Sequence, residues 1–166
     1  MQTLEQQMAV YAAYHRHPLN RLMHFVGVPA IIFSILIPMG WLRIPVLGME
    51  ISLAMVFVAA VLGYYFLLDA KLAGAMLLFL SALLAVTEWF AVNLTVRDGW
   101  LVAGGAFVGG WIFQILGHVI EGRRPALVDN GWQIFVAPIF LMAEVVFALG
   151  YRRATQDRVR ELGARR

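Results

Sequence analysis

Five long apolar runs constrain this chain more than any other feature of its sequence. They cover residues 25–42, 51–68, 73–96, 100–120 and 132–150. Because an α-helix needs about 20 residues to cross the hydrocarbon core, each run is close to the length of a membrane span. Only 14% of the residues are charged, whereas soluble domains contain about 25%. The sequence therefore predicts an all-α, polytopic membrane helical bundle that forms one domain over residues 1–166.

The number of crossings depends on where the positive charges lie. Five crossings would place the termini on opposite sides, yet Arg16 and Arg21 precede the first run and six arginines occupy residues 152–166. Arginines beside a span favour the cytoplasm. We therefore expect both termini in the cytoplasm and four crossings, with the Pro138-containing last run interfacial or re-entrant. If the first run were the one that does not cross, the chain would also have four crossings and both termini on one side. Four to five helices would then be embedded in a bacterial inner membrane or, in a eukaryote, the endoplasmic reticulum.

The first 24 residues are more polar and predict a short amphipathic helix followed by a break. Leu4, Met8, Tyr11 and Ala12 would lie on one side of that helix. Proline fits the first turn of a new helix but not the interior of an old one, so the second helix should begin near His17 or Pro18. The segment is too polar for a secretory signal peptide.

Candidate metal ligands are few, because the chain has no cysteine and only four histidines. The absence of cysteine excludes disulfides, iron–sulfur clusters and thiolate sites. Three histidines fall in the first 24 residues, at His15, His17 and His24, and the fourth is His118. A metal site would therefore be rich in imidazole, with or without a carboxylate. The alternative is that these side chains only form hydrogen bonds at the membrane surface.

A polar cluster ends the fourth apolar run and continues beyond it. Gln114, His118 and Glu121 are spaced by four and three residues, which places them on one face of a helix. Ionisable residues at membrane depth are costly and usually line a functional site. Arg123 and Arg124 follow directly, and they would either belong to that site or reach lipid phosphate.

Two motifs in these segments resemble those of the 2-hydroxy fatty acid dioxygenase family. The first, Y-H-x-x-P-x-N-x-x-x-H, covers residues 14–24, and the second covers residues 110–130 and includes GH at 117–118, Glu121 and RRPAL at 123–127. The resemblance implies an Fe(II)-dependent membrane enzyme. It would use O2 to shorten a 2-hydroxy fatty acid by one carbon, without 2-oxoglutarate.

Carried over residue by residue, the resemblance implies that iron is held by His15, His24 and His118. His17 falls on a position that the motif leaves open, so it is not expected to bind iron. The expected partners of the protein are the fatty acid, O2 and the lipid bilayer. No nucleic acid is expected, because no basic patch is interleaved with stacking aromatic residues.

The remaining motif residues would support the chemistry. Asn20 lies four residues before His24 and is expected to support it, and Glu121 is the candidate for a carboxylate ligand. Arg123 and Arg124 could hold the substrate carboxylate in a charge-assisted fork.

Two other functions fit the same composition. One is an electron carrier in which His24 and His118 are the axial ligands of a haem. The other is a membrane scaffold or lipid-binding protein, in which the histidines and arginines only bind headgroups.

Overall fold

In the computed structural model, which describes residues 3–125, 131 and 133–164, four consecutive helices run back and forth beside one another. Shorter helices cover one end of this bundle, and a β-hairpin covers the other. In chain order the elements are α1 (Leu4–Ala13), α2 (Pro18–Trp41), β1 (Arg43–Val46), β2 (Met49–Ser52), α3 (Leu53–Leu68), α4 (Ala70–Asn93), α5 (Val96–Glu121), α6 (Gln133–Ala148) and α7 (Arg153–Ala164).

The predicted helical membrane class is confirmed. Helices α2, α4 and α5 are each long and apolar enough to cross a membrane, and α3 and α6 are shorter apolar helices. The break near Pro18 is also found, because α2 begins at Pro18 with His17 as its N-terminal cap. In α1, Leu4, Met8 and Tyr11 are buried, as the amphipathic pattern predicts.

The hairpin between α2 and α3 is a feature that the all-α prediction did not include. Its two-residue turn, Leu47-Gly48, has positive φ at both positions (51° and 81°), as type I′ hairpin turns require. Arg43 and Ser52, which are paired across the two strands, both bond to Glu88 of α4. The hairpin therefore provides the partners for an acidic side chain within a largely apolar helix.

Helices α2 and α5 pack closely enough for their backbones to touch. A Cβ atom on Gly27 would lie 2.8 Å from the carbonyl oxygen of Gly110, and one on Gly110 would lie 3.0 Å from that of Gly27. Small residues at such interfaces allow membrane helices to approach one another. Because the two helices are antiparallel, this contact brings the beginning of α2 beside the end of α5.

Helix α6 lies across one end of the bundle. Near its start, the carbonyl of Phe135 accepts a hydrogen bond from the Tyr65 hydroxyl (2.8 Å), close to the end of α3. Near its end, Glu144 pairs with Arg21 in the first turn of α2 (2.8 Å). Both ends of α6 therefore contact the same end of the bundle. The expected count of four crossings, in which the last apolar run does not cross, stays a prediction.

The terminal helices α1 and α7 pack against each other at this same end. Val159 of α7 is buried in one apolar cluster with Leu4 and Met8 of α1. The two terminal helices therefore lie on one side of the bundle. The assignment of that side to the cytoplasm stays a prediction.

Candidate metal centre

Three of the four histidines meet in one buried cluster. His15 lies in the loop after α1, His24 lies in α2 and His118 lies in the last turn of α5. Their exposed fractions are 3%, 3% and 5%, and one potential ligand atom from each lies within 4.8 Å of the other two. The structure thus brings together the three residues that the resemblance assigned to iron.

The hydrogen bonds of two imidazoles fix their tautomers. The Nδ1–H of His15 donates to the carbonyl oxygen of Tyr11 (2.7 Å), and the Nδ1–H of His24 donates to the carbonyl oxygen of Asn20 (2.9 Å). A carbonyl oxygen can only accept, so each Nδ1 carries the proton and each Nε2 keeps a lone pair. These two Nε2 atoms lie 3.0 Å apart. Two lone pairs that face each other at this distance repel, and a cation bound between them would remove this repulsion.

The cluster has the properties of a nitrogen-ligand metal site. Adjacent nitrogen ligands at right angles on one ion, with bonds of about 2.1 Å, lie about 3.0 Å apart. Burial lowers the pKa of His15 to about 3, with a further contribution from His24, so its imidazole is in the neutral form that binds metals. The Nδ1 of His118 is buried without a hydrogen-bond partner among the described residues.

Glu121 lies beside the cluster but its carboxylate is directed elsewhere. One oxygen accepts from the backbone N–H of Arg16 (3.0 Å), and the other accepts from the N–H of His17 (2.7 Å) and from the side-chain amide of Asn20 (3.1 Å). These contacts fasten the end of α5 to the loop that carries His15. The structure therefore places Glu121 as a tether, and the metal-ligand role considered for it stays a prediction.

Asn20 supports His24 through its backbone. Its carbonyl oxygen, not its side chain, accepts the His24 Nδ1–H. Its side-chain amide donates to Glu121 and to the carbonyl of Tyr14 (3.2 Å), and the residue is fully buried. Asn20 therefore contacts His24 through its backbone carbonyl, while its side chain holds the segment between α1 and α2 in place.

The two arginines predicted to bind substrate are not part of the cluster. Both are exposed, and Arg123 donates to the carbonyl of Ala13 at the end of α1 (3.1 Å). Neither lines the cavity beside the histidines, although Pro125 does. The last motif residues, 126–130, lie outside the described part of the chain.

Two apolar cavities adjoin each other, and the first of them lies beside the histidines. The first, of about 90 Å³, is lined by His15, His24 and His118. The second, of about 260 Å³, lies between α2, α3, α4 and α6 and includes Phe57, Val58 and Leu80. The cavities share four lining residues, Ile31, Ile32, Ile134 and Pro138.

Two glutamines supply side-chain amides to the first cavity. Gln114 was expected there, because it shares a face of α5 with His118, and it does line the cavity. Gln133, at the start of α6, was missed, although a lone polar residue at the start of an apolar run was visible in the sequence. The Oε1 atoms of both glutamines are buried without a hydrogen-bond partner within the described structure.

A third, polar cavity of about 480 Å³ lies on the other side of His15, between α1, α6 and α7. Its charged lining residues include Arg16, Arg21, Glu144 and Arg160. His15 lines both this cavity and the first apolar one. The cluster therefore lies where an apolar compartment meets a polar one.

Two comparisons with known proteins found matches to this chain. A profile of the family described as "2-hydroxy-palmitic acid dioxygenase Mpo1-like" matches residues 1–149. The 2-hydroxy-palmitic acid dioxygenase MPO1 of Saccharomyces cerevisiae is 40% identical over 153 residues, which are 89% of this chain and 82% of the yeast protein. No solved structure matches the chain.

Proposed function

This chain belongs to the Mpo1-like family, and from that premise we propose that it is an Fe(II)-dependent dioxygenase of 2-hydroxy fatty acids. The proposed reaction consumes one 2-hydroxy acid and one O2 and yields a fatty acid one carbon shorter, carbon dioxide and water. The family supports the substrate class. The observation that supports a metal most directly is the pair of Nε2 lone pairs of His15 and His24, 3.0 Å apart.

In this proposal His15, His24 and His118 hold the iron. Neutral imidazole nitrogens suit Fe(II), and three of them leave coordination positions open. When bound, the iron supplies those positions and the redox chemistry that allows O2 to react with the 2-hydroxy acid.

The neighbouring residues act by holding the imidazoles in place. The Tyr11 and Asn20 carbonyls keep the protons on the Nδ1 atoms of His15 and His24, so that both Nε2 atoms remain available. Glu121 holds the 15–17 loop through two backbone N–H groups. We propose that Asn20 and Glu121 are positioning residues rather than groups that touch the substrate.

The two apolar cavities offer a place for the acyl chain. A fatty acid whose polar end lies at the histidines could extend along Ile31 and Pro138 into the space lined by Val58 and Leu80. This path lies among apolar helices, so a substrate could remain within the bilayer while it reacts. We assign no substrate contact to Arg123 or Arg124, since neither lines this path.

We also propose that the cluster faces the cytoplasm. It lies at the same end of the bundle as both terminal helices, and α7 carries several arginines. Arginine-rich segments next to membrane spans favour that side.

The other two functions agree less well with the geometry. Histidines that only bind headgroups should be exposed, whereas the three in the cluster are at most 5% exposed. A haem between His24 and His118 would need far more room than about 90 Å³, because small-molecule and cofactor sites usually enclose about 300–1,000 Å³.

The test is anaerobic loading of the detergent-purified protein with Fe(II), followed by addition of O2 and 2-hydroxypalmitate. We expect one iron per chain and, by mass spectrometry, a product one carbon shorter that requires both iron and O2. Turnover without iron would contradict the proposed cofactor. An iron-loaded protein that does not convert 2-hydroxy acids would contradict the proposed substrate.

Histidine variants provide the matched comparison. His24→Ala and His118→Ala should lose iron and activity while the helical content is retained. His17→Asn should keep both, because His17 is exposed and caps α2 by accepting from the Leu19 N–H (3.2 Å), which asparagine can also do. Equal loss in all three variants would contradict the ligand assignment.

A further inference from the structure

The amides of Gln114 and Gln133 have no function in the fold that the described contacts explain. Gln133 is only 4% exposed, and the Oε1 atom of each residue is buried without a hydrogen-bond donor in the described structure. Buried polar atoms without partners are rare, since each loses its hydration without compensation. Both of these amides line the same small cavity as the three histidines.

The position of the two amides also argues against a purely structural role. They come from different helices, α5 and α6, and are otherwise surrounded in this cavity largely by apolar residues such as Val28, Ile31 and Ala137. A leucine at either position would fill similar space without an unsatisfied oxygen. The two unpartnered amide oxygens therefore point to a ligand with its own polar groups.

We propose that Gln114 and Gln133 bind the polar head of the substrate and read its 2-hydroxyl group. This inference rests on the proposed function. A carboxamide can both accept from an O–H group and donate from its NH2 group. An amide oxygen would accept from the substrate hydroxyl, and an amide NH2 would donate to the substrate carboxylate.

This arrangement gives a physical basis for selectivity. A fatty acid without the 2-hydroxyl leaves the amide oxygen unpartnered, so the site favours the hydroxylated acid. Sites built to hydrogen-bond a substrate hydroxyl reject analogues that lack it more strongly than apolar sites do. The glutamines would thus discriminate between 2-hydroxypalmitate and palmitate, in addition to any selectivity that a metal provides.

The experiment measures the dissociation constants of 2-hydroxypalmitate and palmitate under anaerobic conditions, with the iron-loaded, detergent-purified protein. The variants are Gln114→Leu and Gln133→Leu, and the control is Gln156→Leu in α7, which lines the polar cavity instead. We expect the variant that lacks the amide accepting from the hydroxyl to reduce the preference for the hydroxylated acid by about tenfold or more, the loss of one hydrogen bond to a buried group. The other variant, which lacks the amide donating to the carboxylate, should weaken the binding of both acids alike. Gln156→Leu should leave the preference unchanged.

Two further measurements make the result decisive. Iron content should remain one per chain in all three variants, because the cluster itself is intact. Without substrate, the melting temperatures of Gln114→Leu and Gln133→Leu should be equal to or above that of the wild type, since each substitution removes an unsatisfied buried oxygen. If either Leu variant fails to fold, Met at the same position offers a flexible apolar replacement with the same expectation.

The outcomes separate this inference from the proposed function. A wild-type protein that prefers and converts 2-hydroxypalmitate, with unchanged preference in the cavity variants, would overturn the role of the glutamines alone. A wild-type protein that neither binds nor converts the acid would overturn the proposed function, and this inference with it.

Discussion

Gly117 gives the sharpest test of how the fold positions the candidate metal centre. A Cβ atom at this position would overlap the side-chain oxygen of Asn20 and would lie 3.3 Å from the Asn20 carbonyl oxygen and from the Cβ of Met23. Asn20 is fully buried and cannot swing away. Its carbonyl is the group that orients His24. We therefore expect Gly117→Ala to damage the cluster without changing any ligand.

The size of the effect follows from the contacts of Asn20. Displacing it disturbs two hydrogen bonds, to Tyr14 and Glu121, each contributing about 0.5–1.5 kcal/mol to the free energy of unfolding. Overpacking of the α2–α5 interface adds about 1–3 kcal/mol, and the higher helix propensity of alanine offsets about 1 kcal/mol. We expect a net destabilisation of roughly 3 kcal/mol and about 10–100-fold weaker iron binding, as for other losses of support around a metal ligand.

Gly109→Ala, on the same helix as Gly117, is the matched control, because a Cβ atom at Gly109 would meet nothing within 4 Å. The assay is iron titration of both variants, together with their melting temperatures in detergent. The control should bind iron like the wild type and be equally or more stable. Wild-type iron affinity in Gly117→Ala would refute the argument that Asn20 positions His24.

Three further predictions test other parts of the structure. Val58→Phe should fill the distal end of the larger cavity, so activity on 2-hydroxypalmitate should fall by about tenfold or more relative to a 2-hydroxy acid of eight to ten carbons; Val56→Phe, on the exposed side of α3, should not alter this chain-length profile. Burial alone would raise the pKa of Asp69, but Arg152 and two backbone N–H groups hold it below 3.8. The stability that this pair contributes is therefore present near neutral pH and lost as the pH falls below about 4, so the melting temperatures of Asp69→Asn and the wild type should differ at pH 7 and converge in acid. Arg124→Ala should keep the KM for 2-hydroxypalmitate within about twofold, as expected of an exposed residue outside the cavities, and a tenfold rise would restore the carboxylate-binding role.

The sequence predicted the helices because they depend on local spacing and composition, whereas the set of three histidines came from the resemblance to the family. It did not predict the direction of the Glu121 carboxylate. That carboxylate shares a face with His118, but the backbone N–H groups of Arg16 and His17 precede a helix and need acceptors. Glu121 can accept from these N–H groups only after the chain has folded so that α5 ends beside the start of α2. The Leu47-Gly48 turn was missed for a related reason, since it lacks the Asn-Gly or Asp-Gly signal that marks most hairpins of this type.

The α2–α5 interface couples the packing of the bundle to the candidate metal centre. Gly110 and Gly117 are about two turns apart on α5, and both admit close contacts from α2, at Gly27 and at Asn20 respectively. The first contact sets the separation of the helices, and the second lies beside the carbonyl that holds His24. Because their backbones are in contact, α2 and α5 have little freedom to slide along each other. The imidazoles of His24 and His118 can therefore approach His15 in only a narrow range of positions. The packing of α2 against α5 thus sets the positions of the histidine ligands. For this reason, a methyl group added to α5 at Gly117 should change the geometry of the histidine cluster.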